Sequence, residues 1–391
     1  MKINLKIAVA ALASVLASTA FLRAQTNSPV PSPRFAYGGD AAELAAQFTD
    51  SLVFLSARVN VSPPSLFVLD TTAESSSLAP ERATEIDRSN PSLVVLNLDG
   101  LDVPLAGLPA KSAPDFGSRL GLEYQGTIGR DFLSNLVLEI DFARQTVRAY
   151  APASYKYSGK GTIFPLTEKD GIPVIPLRVA LEKGKERNLN FFVETALDAP
   201  VVFDNKFLAA HHMNGERGRT IASADPFTGD LGANVGRLRT FQIGKRTIDD
   251  VLGIYSNHPF PTSDVPVAGA IGSRLLRRFT VVLDFPHHQM MLEPNSHFGD
   301  PDEEDKSGML VVAKGPDLKT FEVANVQPNS PAAAAGIKKG DVIAGVDTDP
   351  AAELSLLVIR DLFRQVGHKY KLTVQTAGQT KEITLQMHRY F

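Results

Sequence analysis

The sequence predicts a mainly β chain in which two lobes, related by an internal repeat, precede a smaller α+β unit. Three observations carry that prediction. Short apolar runs bounded by Gly, Pro and Asp recur from residues 52–61 to residues 280–292, a pattern of strands rather than of long helices. The stretch 126–142 aligns without gaps on 269–285, at a constant offset of 143. An acidic run without apolar residues, 299–307 (GDPDEEDKS), then sets off a final segment of about 80 residues, enough for a small domain.

Taken in order, the chain begins with Lys2 and Lys6, a short apolar run over 7–21, and small residues at Ser18, Ala20 and Ala24. Residues 1–24 read as a signal peptide, the run being too short and Ala-rich for a membrane span. The expected location is secreted or periplasmic in a bacterium, with an uncleaved N-terminal anchor as the alternative. A Pro-rich linker (SPVPSPR, 28–34) lies within 25–39. The lobes are expected at 40–160 and 161–296, an acidic linker at 297–307, and the last unit at 308–391. No second apolar run of membrane length follows the first.

Composition narrows the function. The chain has 391 residues, with 40 Lys plus Arg against 43 Asp plus Glu and a net charge of -3. A nucleic-acid partner would call for a basic face, so none is expected. Cysteine is absent, which removes disulfides, thiol nucleophiles, structural zinc fingers and iron–sulfur clusters. The pairs His211-His212 and His287-His288 are adjacent and point to opposite sides of a strand, a poor arrangement for a metal. With no HExxH, GxSxG, Walker or GxGxxG motif, the expectation is no metal and no cofactor.

The repeat has two halves. Leu66 to Thr71 (LFVLDT) and Asn190 to Thr195 (NFFVET) are apolar strands running into an acidic residue and Thr. Downstream, each copy has a Gly-x-Ile-Gly turn (Gly126 to Gly129, Gly269 to Gly272). A short amphipathic helix with Leu133 or Leu276 comes next, then an apolar strand ending in Asp-Phe. Either half could arise alone. Both halves, twice and in the same order, mark two equivalent lobes.

At these residues the chain resembles the retropepsin-like aspartic proteases, in a bacterial tandem form in which two lobes of one chain imitate a dimer. The signature of that family is an apolar strand, Asp-Thr-Gly-Ala, then an apolar-Gly-x-x-apolar-Leu segment. Here lobe one has Asp70-Thr71-Thr72-Ala73 and Ile128-Gly129-Arg130-Asp131-Phe132-Leu133. Lobe two has Glu194-Thr195-Ala196-Leu197 and Ile271-Gly272-Ser273-Arg274-Leu275-Leu276. The resemblance implies a retropepsin/pepsin-like acid protease fold, with Asp70 and Glu194 as catalytic carboxylates and Thr71 and Thr195 cross-linking the lobes beneath them. Two carboxyls at ~3 Å cannot both ionise, so such a pair shares one proton. The ionised member takes a proton from water while the protonated one polarises the peptide carbonyl.

Two departures accompany the resemblance. Glu194 stands where the family has Asp, and its carboxyl lies one further C–C bond, ~1.5 Å, from the backbone; a misplacement of about 1 Å costs on the order of 100-fold in rate. Thr72 and Ala196 stand where the family has Gly, which bends under the carboxylates without a Cβ. The plainer readings are that Asp70 ends a strand and opens a turn, and that Asp198 is a turn residue rather than a second acid.

Residues 308–391 carry a second resemblance. The stretch Phe321 to Val326, followed by Asn329-Ser330-Pro331-Ala332-Ala333-Ala334-Ala335-Gly336-Ile337 and Lys339-Gly340-Asp341-Val342-Ile343, is a strand, a capped Ala helix, a Gly stop and a turn into a strand. An amphipathic helix is expected over 353–366. The unit resembles a PDZ domain. That implies a groove taking a peptide as an added strand, a C-terminal peptide being a possible ligand. Gly308, Met309, Leu310 and Val311 would form its loop and strand, with Leu357 and Arg360 lining it from the helix.

The resulting expectation is an exported aspartic endopeptidase that binds extended peptides or unfolded protein between its lobes, with the PDZ domain recruiting substrate or partner. The alternative is a catalytically inactive relative that binds peptides through the cleft and the PDZ groove.

Overall fold

The apolar runs of the sequence pair as strands in a computed structural model, which describes residues 30–82, 93–111, 115–169, 171–181, 185–217, 220–225, 229, 231–258, 260, 266–302 and 304–389. The expected signal peptide, 1–24, lies outside the described residues. Within the expected 25–39 linker, Arg34–Phe35 is a strand paired with Leu101–Leu105.

Lobe one contains β1 (Ala41–Leu44), β2 (Leu52–Val59), β3 (Ser65–Leu69), β4 (Ser77–Leu78), helix α1 (Phe116–Leu120), β5 (Gly126–Ile128), β6 (Val137–Asp141) and β7 (Thr146–Tyr150). In lobe two the corresponding elements include β8 (Thr162–Pro165), β9 (Ile172–Ala180), β10 (Glu186–Glu194), β11 (Val201–Asp204), β12 (Val267–Gly272), β13 (Phe279–Asp284) and β14 (Gln289–Pro294). The lobes share a distinctive pairing. β5 lies between β3, to which it is parallel, and β4, to which it is antiparallel. β12 lies in the same way between β10 and β11.

That crossing explains the repeated Gly-x-Ile-Gly. A Cβ on Gly129 would lie 2.7 Å from the Ser75 carbonyl carbon, and one on Gly272 would lie 2.3 Å from Ala199 O. Both obstacles are backbone atoms, which cannot swing away as a side chain can.

Beneath the lobes runs one six-stranded sheet in the order β8-β14-β13-β6-β7-β1. At its centre β6 and β13 are antiparallel, and Glu139 faces its own repeat counterpart Val282. The pseudo-twofold axis therefore passes through this pair. Leu138, Ile140, Val281 and Leu283 are fully buried here, and the hydrophobic core runs continuously through both lobes.

The C-terminal unit has its own core, including Phe321, Ile343, Ile359, Phe363 and Leu372. Its sheet runs from edge strand β15 (Met309–Lys314) through β16 (Thr320–Val326), β17 (Val342–Val346) and β18 (Lys369–Thr376) to β19 (Gln379–Gln386). Helix α2 (Pro331–Ala334) is capped by Ser330, whose hydroxyl accepts from Ala333 N at 3.2 Å. Helix α3 (Leu356–Phe363) is shorter than the expected 353–366, because Leu354 is extended and the Ser355 side chain accepts from Val358 N.

The acidic linker, expected at 297–307, is packed against lobe two. Asp302 and Lys306 are buried. Asp302 accepts from Leu252 N (3.2 Å) and from Arg274 Nη2 (2.7 Å), while Arg274 Nη1 donates to Glu304 Oε1 (2.5 Å). A buried guanidinium in lobe two thus takes two of the run's carboxylates, so their charge is matched rather than hydrated. Residues Ser32–Phe391 accordingly form one unit. No helix among the described residues is long and apolar enough to cross a membrane.

Candidate active site

The two lobes meet at a buried pair of threonines. Thr71 N donates to Thr195 Oγ1 and Thr195 N donates to Thr71 Oγ1, each at 3.1 Å. Thr71 Oγ1 donates to Val193 O (2.6 Å) and Thr195 Oγ1 to Leu69 O (2.7 Å). Each hydroxyl both accepts and donates across the interface, a closed four-bond ring with no polar group left over. It pins the ends of β3 and β10 together.

Asp70 and Glu194, one residue before each threonine, line a common cavity of about 580 Å³. Asp70 is set by the turn that follows it. Its Oδ1 accepts from Thr72 N (2.7 Å), Thr72 Oγ1 (2.7 Å) and Ala73 N (3.1 Å). Thr72 O in turn accepts from Arg130 Nη1 at 2.6 Å. The Thr at the family's Gly position therefore works with the site: its hydroxyl adds a third bond to the Asp70 carboxylate. That role depends on the rotamer and is not visible in the tripeptide.

Glu194 ends β10, beside Gly272 of β12. Burial first, and then the negative charge of Asp70, push its pKa up to about 8. Burial thus favours the protonated form of Glu194.

Asp198 also lines the cavity but belongs to a different network. Its carboxylate accepts from Ser51 Oγ at 2.6 Å, and that hydroxyl lies 2.7 Å from Ser273 Oγ. Burial raises its pKa, but Arg274, the Ser51 bond, Arg364 and Arg360 outweigh burial and hold it below the ordinary carboxylate range. Asp198 is thereby an anchor between lobes, more than the turn residue read from sequence. The strand-end Asp141 caps its turn, accepting from Ala143 N and Arg144 N at 3.0 Å.

The expected PDZ residues come to the same place. Gly308, Met309, Leu310 and Val311 line the cavity that Asp70 and Glu194 line, as does Arg360. Leu357 is half-buried on α3 and is not part of that wall. Arg119, Asp225 and His258 also line it, and no motif pointed to them. Among the described residues, no cluster of three or more His, Asp or Glu is placed to hold a metal.

Residues 304–387 match the family model of the PDZ domain. No curated protein matches the chain. Among solved structures, the aspartic proteinase from Irpex lacteus is similar at 14% identity over 66% of this chain and 98% of that one, with a TM-score of 0.41. A retropepsin-like aspartic protease from Rickettsia conorii is similar at 18% identity over 35% of this chain and 95% of that one, TM-score 0.24. The photosystem II D1 C-terminal processing protease shares 24% identity over 23% of this chain, which spans only 24% of its length, TM-score 0.21. The body thus has two lobes with the same strand pairing, joined by a shared floor sheet and the threonine ring, and residues 304–387 after it match the PDZ domain model.

Proposed function

We propose that the protein is an aspartic endopeptidase, exported by its N-terminal signal, that cleaves extended peptides held between its lobes. One observation carries the reading. Two carboxyls from equivalent positions of the two lobes line one cavity, and burial pushes the pKa of the one that departs from the family's Asp up to about 8. In this scheme Asp70 takes a proton from a water molecule as its oxygen attacks the peptide carbonyl carbon. Glu194 gives its proton to the carbonyl oxygen. Collapse of the tetrahedral species then breaks the C–N bond, the proton on Asp70 passing to the leaving amine and one hydroxyl proton returning to Glu194. The scheme needs no metal or cofactor.

A second reading, a silent peptide binder, is favoured by the extra methylene of Glu194 and by the PDZ residues that wall the cavity. Cleavage of a peptide library by the purified protein, read by mass spectrometry beside Asp70→Asn, separates the two. Products formed by the wild type and missing with the variant support the peptidase. Equal traces in both indicate a contaminant, and retention of intact peptides by folded protein favours the binder. Export is tested separately, by fractionation and N-terminal sequencing of the mature chain.

A further inference from the structure

The groove between β15 and α3 is already filled. Helix α1 of lobe one packs on β15. The chain leaves α1 at Gly121, which has a positive φ of 66°. A Cβ there would lie 3.1 Å from Leu356 Cβ on α3 and 3.6 Å from Ala313 Cβ on β15. The turn thus passes between the strand and the helix that bound the groove, and a side chain would crowd it.

Polar contacts fasten the same segment. Val311 pairs with Val323, whose N–H and C=O are both spent on the 340–341 turn, so Val311 O faces the open edge where an added strand would bond. Arg360 Nη2 donates to that oxygen at 3.1 Å and also to Arg119 O of α1. Arg360 and Arg364 then pair with Asp50 of lobe one, at 3.4 and 3.0 Å, where the Asp50 side chain is only 5% exposed. Toward lobe two, Asn325 Nδ2 donates to Gly229 O (3.3 Å), and Leu310 lies against Gly229. The PDZ domain therefore touches both lobes, and its first strand roofs the cavity of Asp70 and Glu194.

We propose that the PDZ groove is an intramolecular latch: it grips residues 115–122 of lobe one in place of a free peptide, and so holds the domain down as a lid over the cleft. An extended apolar peptide that takes the β15 edge displaces α1 and lifts the lid. Arg360 is then the pin of the closed form, carrying the Val311 edge, the α1 backbone and the Asp50 carboxylate together. The proposal rests on the peptidase reading for its consequence, but the latch itself is a structural statement.

The absence of cysteine makes a direct test possible. At 3.6 Å, the spacing of positions 121 and 313 falls within the roughly 3.5–4.5 Å that a disulfide spans between Cβ atoms. The full chain carrying Gly121→Cys and Ala313→Cys is compared with itself, oxidised and reduced, so any strain at position 121 is common to both. Oxidation should lower cleavage of library peptides at least tenfold, and dithiothreitol should restore it. Asp50→Ala, which removes the lobe-one carboxylate that both arginines share, should raise cleavage several-fold and speed hydrogen exchange at 311–313 and 116–121.

An oxidised form that cleaves as fast as the reduced one overturns the latch and leaves the peptidase standing. Should no form cleave, including Asp50→Ala, the peptidase reading fails and exchange decides the latch. Faster exchange at both segments in Asp50→Ala upholds it, and unchanged exchange overturns it.

Discussion

At the scale of single residues, the two threonines and the glutamate make opposite demands on stability. Thr195→Val keeps the shape but leaves Leu69 O and Thr71 N without their partners in a buried ring. The expected cost is about 1–3 kcal/mol for the groups stranded, read as a lower urea midpoint at unchanged slope. Glu194 has a folded pKa raised from its ordinary value to about 8, so the folded chain binds that proton more tightly than the unfolded one. The stability this contributes is full below the unfolded pKa and is lost as pH rises through about 8. Glu194→Gln should match the wild type in acid. Above that it should gain by up to about 1.4 kcal/mol per pH unit until pH about 8, as melts across the range would show. Asp70, Thr71, Thr195 and Glu194 were legible because a strand running into an acid and Thr occurs twice. The Thr72 hydroxyl on Asp70, and Ser51 on Asp198 across 147 positions, were not, since neither local pattern nor spacing encodes them.

Among the elements, the repeat was the informative signal. Two copies of one pattern predict two copies of one pairing, and the β6–β13 junction at the pseudo-twofold axis follows once both lobes bury the same face. The glycine of each turn is a packing requirement. Gly272→Ala pushes a Cβ into Ala199 O and Leu197 O, at 2.3 and 2.4 Å. A loss of about 1–3 kcal/mol is expected, the usual cost of overpacking, seen as a lower thermal midpoint. The acidic run is expected as a linker, and its packing is not legible, because the cation that takes its carboxylates lies elsewhere in the chain. That cation is Arg274. Asp302→Ala removes one of that guanidinium's carboxylates, leaves it Glu304, strands Leu252 N, and should cost about 1–3 kcal/mol by denaturant titration.

For the whole molecule, the sequence led to the parts and missed their arrangement. The PDZ residues are legible from the Pro-capped Ala helix and its Gly stop, and Arg360 is expected to line the groove, but the sequence does not show what it binds in lobe one. Its partners, Asp50 and the Arg119 carbonyl, lie 310 and 241 positions away, and docking of one domain on another leaves no periodic trace. What the docking produces is a cavity lined by Asp70 and Glu194 and walled by both lobes and the C-terminal unit, in which burial raises the pKa of Glu194.

The pH dependence of kcat/KM for a cleaved peptide, measured on the wild type beside Asp70→Asn, tests most directly whether Asp70 and Glu194 work as a pair. The activity should fall away as pH rises through about 8, where Glu194 loses the proton it gives to the carbonyl, and Asp70→Asn should be inert throughout. Turnover that stays level through pH 9, or that persists in Asp70→Asn, would contradict the dyad.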